Sequence, residues 1–415
     1  MFTQELFELA LNITSPWIIS SVDFDVEKQK LDIHIDFERG SEFEYTLEDG
    51  TIGKGKAYDT VKKTWRHLNF FQHECYLHAR VPRVKREDNS IRMIQTPWQG
   101  KMNGFTLLFE ALLLQLCTAM PVLKVSQIAG VSDDKLWDML ERYVDEAVDQ
   151  MDLSDLNMLG LDETSKAKHH DYITLFVNLL TRKVVYITEG KDSKTIDDFV
   201  GFLTTHGGEP EQITDVSSDM SKAFIKGVKD NLPNAQITFD KFHIMKIIND
   251  AVNKVRIQEV KEQDVLKKKK FIFLKNNDNL TPKQLSILQE LKMSKINLKT
   301  IRAMHIRENF QEIYNSDSFE EFQIKLQKWY FWATHSRLEP IKEAAYTIKR
   351  HWDGVLRWWH SQINNGILEG LNSIIQAAKS KARGYKLAKN FKIIAYLLTG
   401  DIDLNSLNRN FHKLT

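Results

Sequence analysis

The sequence predicts an α/β protein assembled from several parts, and three observations predict it. Up to about residue 100, apolar and polar residues alternate with a period of two, as in "KLDIHIDFE" and "HECYLHARVPRV", broken by turn signals such as "EDGTIGKGK". Between about 151 and 248, short runs rich in Val, Ile, Leu, Thr and Phe are interleaved with helical segments. From about 249 to 360 the pattern is almost wholly helical. With 415 residues, 42% apolar and 27% charged, the chain can bury a large core and hold two or three domains.

The first part, residues 1–100, reads as a small β-rich module with Trp65, Phe70, Phe71 and Tyr76 in its core. In the second, residues 101–150, the period becomes helical, and "VSQIAGVSDDKLWDMLERYV" has the form of a helix-turn-helix. There Ile128 and Ala129 are expected to pack, Gly130 to turn, Val131 to plug the corner and Ser132 to cap, with Leu136, Trp137 and Leu140 facing inward. Asp133 and Asp134 suit the positive end of the helix dipole. They would also repel phosphates, so this unit reads either as a DNA contact or as a structural hairpin.

Next come "LNMLGLDET", "YITLFVNLLTRKVVYITEG", "ITDVSSDM" and "AQITFDKFH", with the helical "SKTIDDFVGFLTTH" between the third and fourth strands. Three consecutive strands, helix, strand, helix, strand is the order of an RNase H-like α/β sheet, here placed at 151–248. Residues 249–360 then read as an all-helical insertion and 361–415 as the C-terminal helices of the same core. Trp329, Trp332, Trp352, Trp358 and Trp359 fall within the insertion. Such rings can stack on bases, but at helical spacing they are expected to knit the insertion together as core.

The net charge of +1 supplies no whole-molecule field for nucleic acid, so any such surface must come from local basic patches such as Lys267 to Lys270 or Lys379 to Lys392. Two cysteines, Cys75 and Cys117, cannot form a disulfide framework or a four-cysteine zinc site, and both are expected to be buried thiols. "MFTQELFELALNITSP" is a poor signal peptide and no uncharged run reaches membrane-spanning length, which points to the cytoplasm and to no membrane partner.

Three acids stand where an RNase H-like sheet would bring them together. Asp162 follows the apolar run of the first strand, Asp219 ends the fourth, and Glu369 begins a helix long after the sheet is complete. Hard divalent cations take oxygen ligands, and two of them about 4 Å apart can activate an attacking hydroxyl and stabilise a leaving oxygen of a phosphodiester. Each acid also has a structural reading, Asp219 as a helix cap and Glu369 as a partner of the helix dipole.

The words "LGLDETS", "ITDVSSDMSKAF", "ITFDKFHIMKIINDAVNKVR" and "NNGILEGLNSIIQAAKSKARGYK" resemble those of the ISL3 family of bacterial insertion-sequence transposases, in the family's order. The resemblance runs from about "KKTWRHLNFF" to near the C-terminus. It implies a DDE-type transposase with an RNase H-like catalytic domain interrupted by helices, preceded by a helix-turn-helix and an N-terminal DNA-binding module. Carried onto matching positions, Asp162, Asp219 and Glu369 become the catalytic, metal-holding acids, with Mg²⁺ or Mn²⁺ as cofactor. Asp240 and His243 of "FDKFH" also match a family motif and would support the site from its edge. Lys379, Lys381, Arg383 and Lys386 would neutralise the DNA backbone, while Asn365 and Gly366 would end the preceding helix. The implied partner is double-stranded DNA, at element ends and target, bound by a homodimer.

The chain departs from the family at its N-terminus. Members usually carry cysteine pairs resembling a zinc finger; here those stretches read "FEYTLEDG" and "VKREDNSIR", and His67, His73 and His78 do not restore a ligand set. This departure motivates the alternative reading, a domesticated DNA-binding protein derived from a transposase. A third reading, a nuclease of the junction-resolvase kind, is opposed by the helical insertion and the N-terminal modules, which a simple nuclease does not need.

Overall fold

The structure, a computed structural model, describes residues 2–47, 50–86, 89–167, 171–293, 296–363 and 366–402. The chain forms two compact units, one comprising the residues up to Asp149 together with those from Ala377 on, the other Gln150–Gln376.

The first unit opens with a helix, α1 (Phe2–Ala10), and the strands β1 (Trp17–Asp25), β2 (Lys30–Phe37), β3 (Glu42–Thr46), β4 (Ile52–Phe70), β5 (His73–Lys85) and β6 (Ile91–Met93). They make a sheet of order β1-β2-β5-β4-β3, with β6 on β5. The period-two pattern becomes one buried face, with Leu31, Ile33 and Ile35 of β2 packed beside Cys75, Leu77 and Ala79 of β5. Both cysteines are free and buried, as expected. Trp65 is core, but Phe71 is 80% and Phe70 38% exposed, because they sit at the tight β4–β5 turn where Phe71 takes φ +53°. Tyr76 faces the other side of the sheet, half-buried. In "EDGTIGKGK" the glycines do not all turn: Gly53 lies inside β4, where a Cβ would stand 2.6 Å from the Tyr45 ring.

The helical part of this unit is α2 (Leu107–Ala119), α3 (Val122–Ala129) and α4 (Asp133–Asp149), joined later by α15. Gly130 ends α3 at φ +65° and Val131 is buried behind it, as the helix-turn-helix pattern requires. Ile128 corrects the expectation: it is 55% exposed, and Val122 and Val125 are the residues of α3 that pack. Trp137 is half-buried, edge-on to Tyr385. The carboxylate of Glu110, fully buried, accepts from Lys101 N and Met102 N at 2.9 and 2.6 Å and from Tyr143 Oη at 2.6 Å, tying α2 to α4.

The second unit contains β7 (Met158–Ala167), β8 (Asp171–Asn178), β9 (Lys183–Glu189), α5 (Lys194–Thr205), β10 (Asp215–Ser218), α6 (Lys222–Asn231) and β11 (Gln236–Phe239). The sheet order is β11-β10-β7-β8-β9. β7, β8 and β9 are antiparallel and hairpin-linked, while β10 and β11 run parallel to β7 after helical crossovers. Phe199, Val216 and Phe224 fill the face beneath α5 and α6.

Helices α7 (Lys241–Val260), α8 (Lys270–Leu274), α9 (Pro282–Met293), α10 (Lys299–Ile313), α11 (Phe319–Thr334), α12 (Glu339–Arg350) and α13 (Trp352–Ser361) follow. Their core gathers around Ile248, Phe273, Phe310, Phe322 and Trp329. Trp329 is buried, with its indole N–H donating to Ile306 O at 2.9 Å; Trp352, Trp358 and Trp359 pack against the same core, whereas Trp332 is 42% exposed. The last helices are α14 (Gly366–Lys381) and α15 (Ala388–Thr399). Gly366 begins α14 instead of ending α13, which is terminated by Gln362 in the left-handed region at φ +49°; Asn365 lies outside the described residues. Among the described residues no helix is long and apolar enough to cross a membrane.

Candidate active site

β7 is central in its sheet, hydrogen-bonded on one side to β8 and on the other to β10. Its residue Asp162 pairs with Leu175 of β8, and Asp219 is the first residue beyond the end of β10. Asp162 thus lies on the strand parallel and adjacent to the one that Asp219 follows, and the charge of Asp219 acts on Asp162. The Asp162 carboxyl is raised above its ordinary range, first by burial and also by Asp219. Glu163, the next residue of β7, is raised in the same way, by burial and then by Asp219.

Asp219 Oδ1 accepts from Ser221 N at 2.9 Å, which turns the chain into α6 and leaves Oδ2 unengaged by that bond. Asp240 caps α7, with Oδ1 accepting from Phe242 N at 2.9 Å, while its Oδ2 accepts from His243 Nδ1 at 2.8 Å. That hydrogen bond is the main reason His243 is held above the usual imidazole range, and Asp219 and Asp162 add to it. His243 is thus a half-buried imidazole whose protonated form is favoured by the acids around it, oriented by the buried carboxylate of Asp240.

Glu369 lies in the first turn of α14 and is exposed; its carboxyl is raised by burial and by Asp240, and His243 is its cationic neighbour. With Asp240 it lines a cleft of about 610 Å³ beside Lys241, Phe242 and Trp358. The Lys241 ammonium sits 4.3 Å from the Tyr314 ring centroid and 5.7 Å from that of Trp358.

Three residues that the sequence reading did not single out fix α14 against β7. Asn372 Nδ2 donates to Asp162 Oδ2 at 2.7 Å, and Gln376 Nε2 donates to Thr164 Oγ1 at 2.5 Å and to Ser165 O at 3.0 Å. Gly160 makes the approach possible, since a Cβ there would meet Leu368 and Leu179 at 2.8 Å. Glu369, Asn372 and Gln376 share one stripe of the helix, a spacing that by itself does not tell a buried contact from a solvated face. Lys379 and Lys381 end α14, Arg383 and Gly384 follow in the left-handed region at φ +58° and +95°, and Lys386 precedes α15. These four basic residues belong to the first unit, the acids to the second.

A hard divalent cation suits the donor chemistry of the Asp162–Asp219 pair, which offers oxygen alone and relieves its mutual repulsion on binding. The buried Oδ1 of Asn372, without a hydrogen-bond partner among the described residues, is a further oxygen beside Asp162. Among the described residues no three His, Cys, Asp or Glu side chains converge as a ready ligand set, and Glu369 stands with Asp240 and His243.

A transposase family model of the DDE, ISL3 type matches residues 159–395, more than half of the chain, and spans the acid pair, the helices and α14. A second model, the helix-turn-helix domain of transposase family ISL3, matches residues 94–144. The two matches together define the class of the protein, a transposase with a helix-turn-helix domain. The chain belongs to the ISL3 family of transposases. It is 24% identical over 342 residues to the transposase for insertion sequence element IS1001 of Bordetella parapertussis, covering 80% of this chain and 83% of that one. It is also 24% identical over 371 residues to the transposase for insertion sequence element IS1557 of Mycobacterium tuberculosis, covering 81% of each. The family's usual N-terminal cysteines are missing, since the chain has two cysteines in all.

Proposed function

We propose that this transposase cleaves DNA at the ends of a mobile element and joins the freed 3′-hydroxyls to target DNA, using Asp162, Asp219 and Glu369 as its catalytic acids. The observation that carries the reading is the placement of Asp162 on the central strand with Asp219 just past the end of the adjacent parallel strand, where its charge acts on Asp162. The strand order β11-β10-β7-β8-β9 supports an RNase H-like core at 151–248, interrupted by the helices of 249–360 and continued by 361–415. The β-rich residues 1–100 and the helix-turn-helix at 101–150 would then be the DNA-recognising parts.

Asp162 and Asp219 would hold Mg²⁺ or Mn²⁺, with Glu369 as the third carboxylate by family correspondence. The bound ion supplies Lewis acidity for an attacking water or 3′-hydroxyl and for the leaving oxygen. The chain's own residues do the rest. Asn372 fixes the Asp162 carboxylate, and Asp240 fixes the His243 ring through Nδ1, so that His243 would be held ready to meet phosphate when protonated. Lys379, Lys381, Arg383 and Lys386 would hold the backbone of double-stranded DNA, and a homodimer would pair two element ends in the cytoplasm. The test is a strand-transfer assay with flanking-repeat DNA as donor and a supercoiled plasmid as target, in Mg²⁺ and in Mn²⁺. Joined products from the wild type and none from Asp162→Asn, Asp219→Asn or Glu369→Gln support the assignment; a variant with unchanged activity removes its residue from it.

A further inference from the structure

A cleft of about 850 Å³ opens in the second unit beside β11, lined on one side by α6 and on the other by α12 and α13. Its α6 wall carries Lys222, Lys226 and Lys229, which share one stripe of the helix and are all exposed. The opposite wall carries Arg350 and Arg357. Against these five cations the lining sets Asp230 and Asp353, a local excess in a chain whose 57 basic and 56 acidic residues otherwise balance. Among the described residues no ion pair engages Lys222, Lys226, Lys229 or Arg350, whereas Arg357 is held by Asp215 at 2.9 Å. Arg357 Nε is buried without a hydrogen-bond partner among the described residues. His351, between the walls, is held below the usual imidazole range first by burial and then by Arg350 and Lys222. The floor is apolar, with Ile225, Ile237 and Leu356.

We propose that this cleft is a second DNA-binding site, which takes the phosphodiester backbone irrespective of base sequence. Lys222 to Lys229 spans about 10 Å of helix at ~1.5 Å per residue, the axial rise of about three base pairs of a duplex at ~3.4 Å for each phosphate of one strand. The apolar floor suits deoxyribose, while Lys222, Lys226, Lys229 and Arg350, the four cations without an ion pair among the described residues, suit the phosphates on either side of it. Lys222 follows Asp219 by three residues, so a strand lying along α6 has the acid pair at one end and is led away from it. The inference rests on the transposase reading for the identity of the polyanion, but not on the assignment of the catalytic acids.

The test titrates a fluorescent duplex of about 30 base pairs with the full chain, without divalent metal, at salt from about 50 to 300 mM. Wild type is compared with the triple variant Lys226→Gln, Lys229→Gln, Arg350→Gln. At ~0.9 per phosphate contact, loss of three contacts should flatten the slope of log affinity against log salt by about 2.7. Two duplexes of unrelated sequence should lose affinity equally. A folded variant with the wild-type slope overturns the proposal. Acetylation of the wild-type chain with and without duplex gives a reading free of any folding defect: Lys226 and Lys229 should be protected by DNA, and equal labelling overturns the site. A wild type that binds no duplex sinks both this inference and the transposase reading, whereas an unchanged slope in a binding-competent variant sinks the cleft alone.

Discussion

The carboxylate of Asp162 is tied to a residue 210 positions further along the chain, accepting at Oδ2 a 2.7 Å hydrogen bond from Nδ2 of Asn372. The bond joins the central strand to the helix that carries Glu369. Replacing Asn372 with Ala should lower stability by about 1 kcal/mol, as expected for one hydrogen bond. Strand cleavage should fall by about 10- to 100-fold, the usual effect of losing a partner that orients a ligand. Thermal melting and a cleavage assay on the same preparation separate the two effects.

Asp162→Asn and Asp219→Asn should each abolish strand cleavage while leaving the fold and duplex binding intact, because each removes a charge from a pair that repels itself. Loss of DNA binding in either variant would count against a purely chemical role.

Gly160 admits Leu368 to the surface of β7. Gly160→Val should overpack this contact and cost about 1 to 3 kcal/mol. It should also reduce cleavage, by displacing the turn of α14 that carries Glu369. A melting temperature equal to wild type would show that Leu368 can yield.

His243 is held above the usual imidazole range chiefly by its bond to Asp240. Its contribution to stability is therefore fully present below the unfolded value of about 6.5 and is lost as pH rises through the higher folded value. An NMR titration of the ring should show this raised value, and Asp240→Asn should bring it down. Cleavage should follow the same titration if the cationic ring faces phosphate.

In the first unit, Glu110→Ala strands the amides of Lys101 and Met102 and the Tyr143 hydroxyl, and should cost about 2 to 4 kcal/mol. Denaturant unfolding measures it. Glu110→Gln, which keeps the shape and loses part of the acceptor capacity, should cost less.

The elements of the second unit's sheet were legible because each strand is short, apolar and bounded by turn residues, and because hairpins and helical crossovers leave different spacings in the sequence. Asp162 was legible as an acid after the apolar run of the first strand and Asp219 as the acid that ends the fourth. Asn372 and Gln376 were not, since an amide at helical spacing looks like any solvated face until the strand opposite is known. Ile128 misled because a helix-turn-helix pattern names an apolar position without saying which of α3's faces has a neighbour; Val122 and Val125 take the buried side. Phe70 and Phe71 misled for a related reason: alternation fails at a hairpin turn, where the backbone reverses and there is no inner face.

The first unit is interrupted in sequence by the whole of the second, and α15, which packs against α4 and α2, lies beyond the interruption. Phe391, Ile394 and Leu397 of α15 are buried, and Lys389 reaches Glu141. On a ribosome adding about 5 to 20 residues per second, α2 to α4 therefore wait on the order of tens of seconds for the helix that covers them. The second unit can fold in that interval, while the helix-turn-helix bundle closes afterwards. The order of synthesis thus makes the bundle's last brick the one laid after the whole of the second unit.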